Sequence, residues 1–163
     1  MAEKLPKFGS VGNWRKFEEK SDLTIVKQSN DASCVSAVGE MLAEHYGLKI
    51  NQNEILESIG IWSNAEALAE FLNSKETRND VEWEGGSWDI DKPTGALKWL
   101  IQNYKIGAML RKGSPVGHAV LVEGEGDDGL IMIKDPFDQT SYRMEIMDFL
   151  DVLSEFIWRK RRW

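Results

Sequence analysis

The apolar positions change period about two-thirds of the way along the chain. Val35, Val38, Met41, Leu42, His45 and Tyr46 recur at helical steps, predicting one amphipathic helix that Gly47 stops. Asn30, Asp31 and Ser33 offer oxygens that can cap its start. Asn51 or Asn53 begins a short helix through Ile59, Ser63 caps another through Leu72, and Pro93 fits the first turn of a helix ending near Tyr104. From Ile106 the period falls to that of strands: Ile106 to Arg111, His118 to Glu123, Leu130 to Lys134 and Ser141 to Glu145. Turn chemistry separates them, in Gly113-Ser-Pro115, Gly124-Glu-Gly-Asp-Asp-Gly129 and Asp135-Pro-Phe-Asp138. Ile146 to Ser154 reads as a helix, and Phe156 to Trp158 as a strand that closes the sheet.

Before the first helix, Leu23 to Lys27 alternates like a strand, and residues 1–21, with Phe8, Trp14 and Phe17, read as a docked arm. Residues 74–92 are charged and carry glycines, with Trp83 and Trp88 embedded, so a long surface loop is expected there. Helices first and antiparallel strands second imply an α+β fold in two layers, a helical part packed on a sheet. The domain spans 22–158, with a basic tail at 159–163.

Composition narrows the chemistry. A chain of 163 residues with 42% apolar residues and seven tryptophans is long and apolar enough for one ordered domain. No run approaches the ~18 apolar residues of a membrane span. The first ten residues hold no apolar signal core, so export is not expected of this chain by itself, and it reads as one module of a larger secreted chain. The net charge of −7 becomes −11 without Arg159, Lys160, Arg161 and Arg162, so the body is a poor partner for phosphates and nucleic acid is disfavoured. Gly124 to Gly129 lacks the spaced ligands and closing Glu of a calcium loop, and His45 and His118 have no Cys/His cluster around them. No metal and no cofactor is expected.

The single cysteine stands out by position. Cys34 closes Gln28-Ser-Asn-Asp-Ala-Ser-Cys34 and opens the first helix. A lone helical cysteine is usually core, but the unpaired N–H groups at a helix start favour a thiolate. His118 begins one strand and Asp135 ends the next, with a hairpin loop between, so antiparallel pairing sets them side by side. A histidine there can take the thiol proton while the carboxylate fixes its tautomer. Gln28, six residues before the cysteine, can donate to a developing oxyanion together with the Cys34 backbone N–H. Cys34, His118, Asp135 and Gln28 are the candidate catalytic residues.

These positions resemble the papain-like bacteriocin-processing peptidases that cut double-glycine leaders, and the papain-fold toxin domains of bacterial polymorphic toxin systems. The resemblance rests on Gln28, Cys34 and Ala37, then on His118, Val120, Gly124, Asp135 and Pro136, with Asp148-Phe149-Leu150 behind them. Val35 follows the cysteine where the processing peptidases usually have glycine. The 84-residue step from Cys34 to His118 is shorter than the roughly 130 of papains, whose Cys-Gly-Ser-Cys-Trp signature is absent. The resemblance implies a papain-like cysteine hydrolase of toxin-effector type, acting on a peptide bond or a glutamine side chain through an acyl-thioester. It implies a protein or peptide substrate and a cognate immunity protein as partners. A toxin ribonuclease, with His118 deprotonating a ribose 2′-hydroxyl, and a non-catalytic binding module are the alternatives.

Overall fold

The computed structural model describes residues 14–89, 94–111 and 117–162. Their order is β1 (Phe17–Ser21), α1 (Cys34–His45), α2 (Gln52–Ile59), α3 (Ala65–Lys75), β2 (Val81–Ser87), α4 (Thr94–Asn103), β3 (Ile106–Leu110) and β4 (His118–Glu125). β5 (Ile131–Asp135), β6 (Thr140–Met144), α5 (Ile146–Val152) and β7 (Leu153–Arg161) complete it. The seven strands form one antiparallel sheet in the order β1-β6-β5-β4-β3-β7-β2. The fold is α+β, as the change of period implies.

Strand alternation divides the core. Met109, Ala119, Leu121 and Ile157 face α1, α2 and α3, while Ile106, Ala108, Val120, Val122 and Phe156 join Leu97 and Leu100 of α4 and Phe149 of α5. The helices therefore cover both faces of the sheet, where two layers were expected. Val38 and Leu42 of α1 are almost wholly buried, each worth roughly 2 kcal/mol of apolar burial. Gly107 lets α1 lie flush on β3. A Cβ there would stand 2.7 Å from Ile157 Cγ2 and 3.0 Å from Val38 Cγ1. That close seat fixes where the first residue of α1 points.

Several boundaries move from their sequence positions. The segment expected as a surface loop contains β2, whose buried Val81 and Trp83 alternate with half-exposed Glu82 and Glu84 and pair with β7. Gly85 is required there, since a Cβ would come within 2.3 Å of the Ala65 carbonyl oxygen. Leu23 to Lys27 is not a strand: the Gln139 side chain donates to the carbonyls of Leu23 and Ile25, and Asp22 N–H donates to Gln139 O. The edge strand is Phe17–Ser21, within the expected arm; Phe8, Pro93 and the turn at Gly113 to Pro115 lie outside the described residues. Asn51 caps α2, as expected, by accepting from Glu54 N–H; α3 is capped by Asn64 rather than Ser63, accepting from Ala67 N–H. The last helix stops at Val152, because Leu153 already belongs to β7, and Arg159 to Arg161 of the basic segment are strand residues. Among the described residues no helix is long and apolar enough to cross a membrane.

Candidate active site

Cys34 is the first residue of α1, His118 the first of β4 and Asp135 the last of β5. Because β4 and β5 are antiparallel neighbours, those two strand ends coincide. His118 Nε2 lies 2.6 Å from Asp135 Oδ1, with both side chains essentially buried. Nδ1 is thereby left on the side away from Asp135, and Cys34 lies close enough to favour the charged imidazole. The Ala119 backbone N–H also donates to Cys34 Sγ, at 3.4 Å. Asp31 is not the cap. It is exposed, while Ser33 occupies the cap position and bridges Asn30 N–H and O through its hydroxyl. No acidic residue lies in the first turn of α1, whose positive end is at Cys34.

Burial opposes charge on His118, but the Asp135 carboxylate, its hydrogen bond and the neighbouring sulfur outweigh it, and the imidazole pKa is pushed up to about 10. Asp135 moves the other way. Burial would raise it, and it is held below the ordinary carboxylate range by His118, by Phe137 N–H donating to Oδ1 at 3.0 Å and by the Tyr142 hydroxyl donating to Oδ2 at 2.9 Å. The carboxylate thus favours the protonated form of the imidazole. Because the folded pKa of His118 exceeds its unfolded value of about 6.5, its contribution to stability is complete below that pH and is lost as pH rises toward 10. The stability difference between wild type and His118→Gln, measured by urea unfolding, should therefore shrink steadily from about pH 6.5 to about pH 10. A constant difference would contradict the ion pair.

A second set of residues, invisible from motif spacing, encloses the dyad. Trp14 Nε1 donates to Tyr142 Oη at 3.3 Å, and the Trp14 ring stacks on His118 with centroids 6.3 Å apart and planes 19° from parallel. Phe137 meets the imidazole edge-on, also at 6.3 Å. Lys16 Nζ lies over the Trp14 and Tyr142 rings, and burial lowers its pKa. Only the alternation of β6, which buries Thr140, Tyr142 and Met144, marks Tyr142 as inward-facing. Tyr142→Phe leaves Asp135 Oδ2 short of a donor and should cost about 1–3 kcal/mol, read as a lowered urea midpoint.

Gln28 is also buried. Its backbone N–H donates to Pro136 O at 3.0 Å, tying the segment before the cysteine to the turn after Asp135. Its Nε2 donates to Asn30 O at 2.8 Å, which fixes the amide orientation and leaves a second N–H on the same nitrogen. Oε1 is buried with no partner among the described residues.

The fold has counterparts among known proteins. The papain-like fold of double-glycine peptidase domains is present: the peptidase domain of Streptococcus ComA, a bi-functional ABC transporter of a quorum-sensing pathway, superposes with a TM-score of 0.62 at 21% identity, over 84% of this chain and 97% of that one. A double-glycine motif protease from an AMS/PCAT transporter, solved with a leader peptide, gives a TM-score of 0.64 at 15% identity, over 90% and 94%. In sequence, the chain is 34% identical over 145 residues to cysteine protease effector 1 of Escherichia coli O1:K1:H7. That match takes in 88% of this chain but 28% of the relative's own length. No protein-family model matches the chain.

Proposed function

We propose that this chain is a papain-like cysteine peptidase of bacterial effector type, cutting a peptide bond in a protein substrate. The observation that carries the reading is the buried His118–Asp135 pair at the end of the sheet where α1 begins with Cys34, whose sulfur accepts from the N–H of Ala119, the residue after His118. The similarity to a protein named as a cysteine protease effector and to leader-cutting peptidase domains supports it.

In this mechanism the thiol passes its proton to His118 Nδ1, while Nε2–H stays bonded to Asp135. The sulfur attacks the substrate carbonyl carbon, and the C=O electrons move to oxygen. The second N–H of Gln28 Nε2 and the Cys34 backbone N–H are the donors assigned to that oxyanion. His118 returns its proton to the leaving amine, the C–N bond breaks and an acyl-thioester remains on Cys34. Water, deprotonated by His118, then releases the acid and restores the thiol. Gln28→Ala should lower kcat by about 100-fold with little change in KM, because the oxyanion exists only after attack. An unchanged kcat would remove Gln28 from the role.

The test is to incubate wild type and Cys34→Ala with a bacterial lysate and to read new peptide termini by mass spectrometry. New termini are expected with wild type only. One-dalton Gln-to-Glu shifts without new termini would make the enzyme a deamidase on the same chemistry. RNA cleavage that survives Cys34→Ala would replace the reading with a nuclease.

A further inference from the structure

We propose that Lys16 is a positioning residue of the site, whose buried ammonium favours the neutral His118 imidazole that thioester hydrolysis requires. The proposal rests on the cysteine-peptidase reading and adds the group that keeps its base usable.

Lys16 precedes β1 and is 8% exposed, so its side chain lies inside the protein. Its Nζ donates to Trp14 O at 3.3 Å and stands 5.0 Å from the Trp14 ring centroid and 5.4 Å from that of Tyr142. Trp14 stacks on His118, and the Tyr142 hydroxyl donates to Asp135 Oδ2. Each ring that the ammonium faces is thus in contact with one member of the pair. The carboxylates of Glu19 in β1 and Asp135 in β5 attract the cation. Among the described residues, the titratable groups that face the imidazole are Asp135 of β5 and Cys34 of α1. Tyr142 of β6 reaches it through Asp135, and Arg111, exposed, lies beside Gly117.

The apolar core does not need a charge at this position. Burial disfavours the ammonium and lowers its pKa, and the two ring faces offset part of that cost. A methionine would fill a similar volume against the same rings with no charge to desolvate. The reaction does need the charge. Once the acyl-thioester has formed, His118 must be unprotonated to take a proton from water. Asp135 pulls the other way, since its carboxylate favours the protonated ring. The Lys16 ammonium opposes that pull twice. It repels a proton arriving on the imidazole, and it draws on the Asp135 charge, both directly and by polarising the Tyr142 hydroxyl that donates to Oδ2. A nearby like charge disfavours the charged ring, so losing the ammonium raises the His118 pKa.

The test is an NMR pH titration of the imidazole resonances of Cys34→Ala, with and without Lys16→Met. Removing the sulfur leaves position 34 uncharged, as it is in the acyl-enzyme. His45, at the far end of α1, is the one other histidine of the chain and serves as the internal control. Lys16→Met should move the His118 midpoint up by about one pH unit and leave that of His45 in place. Lys16→Arg, which keeps the charge, should return the midpoint most of the way. In proteins that retain Cys34, the acid limb of kcat on the fastest-cut tryptic peptide of an E. coli lysate should rise by the same amount. Urea unfolding of Lys16→Met should show a midpoint no lower than that of wild type. An unmoved His118 midpoint or an unmoved acid limb in Lys16→Met overturns the proposal, as does a shift that Lys16→Arg fails to reverse. A lowered urea midpoint with an unmoved titration makes Lys16 a structural residue. A shifted titration in a protein that cuts no peptide removes the peptidase reading and leaves the coupling of Lys16 to His118 standing.

Discussion

Cys34→Ala should fold as the wild type does and lose hydrolysis by about 10⁴-fold or more in kcat. The change removes one sulfur from a buried position and leaves the N–H groups of α1 and Ala119 in place, so the cavity term is small. Because this is the single cysteine of the chain, no other thiol can substitute. Cys34→Ser should be about as inactive, since the positive helix end and the His118–Asp135 pair act on a thiol, a far stronger acid than a serine hydroxyl. Its Oγ would also sit nearer the backbone than Sγ, further from the carbonyl it must reach. Full hydrolysis in either variant would place the nucleophile elsewhere.

Asp135→Asn is expected to lower kcat by about 10³-fold or more, and here the cause is specific to this site. The carboxylate accepts three hydrogen bonds, from His118, Phe137 N–H and the Tyr142 hydroxyl. An asparagine can turn its oxygen toward His118 and Phe137, but its NH₂ then faces a hydroxyl that already accepts from Trp14 Nε1. The Tyr142 proton loses its carboxylate acceptor. Turning the amide the other way points NH₂ at His118 Nε2 and forces the wrong tautomer. Either way the negative charge that holds the imidazolium is gone. The Asp135→Asn/Tyr142→Phe double variant relieves the first conflict and should recover part of the lost rate. Activity of Asp135→Asn near that of wild type would show that Asp135 neither orients nor charges His118.

The dyad is legible in the sequence because strand, hairpin loop and strand leave few ways to place His118 and Asp135. The helix start is legible from the turn-rich run before Cys34. What the spacing does not carry is contact across the chain. Trp14 and Tyr142 stand 128 residues apart, so neither hints at the other. Leu23 to Lys27 alternates as a strand would, yet its Leu23 and Ile25 carbonyls are taken by the Gln139 side chain, and the edge strand is Phe17–Ser21 instead. β2 hides behind its glycines and charges, although Val81 and Trp83 alternate with Glu82 and Glu84 as an edge strand requires. Asp31 has the right chemistry for a cap but the wrong place, because Asn30 and Ser33 bond each other and close the turn without it. Tyr142 is within reach of the pattern, since it holds the inward register of β6; nothing local says that its hydroxyl meets Asp135.

The central claim is that His118 activates Cys34, and the rate of Cys34 carbamidomethylation at mildly acidic pH, below the free histidine value of about 6.5, tests it most directly. Wild type, His118→Gln and a urea-unfolded control are treated with iodoacetamide, and the modified Cys34 peptide is followed by mass spectrometry. The account predicts that wild type reacts fastest of the three, that His118→Gln falls well behind it, and that activity is lost in step with labelling of this one residue. Wild-type labelling no faster than that of the unfolded chain, or unaffected by His118→Gln, would contradict it.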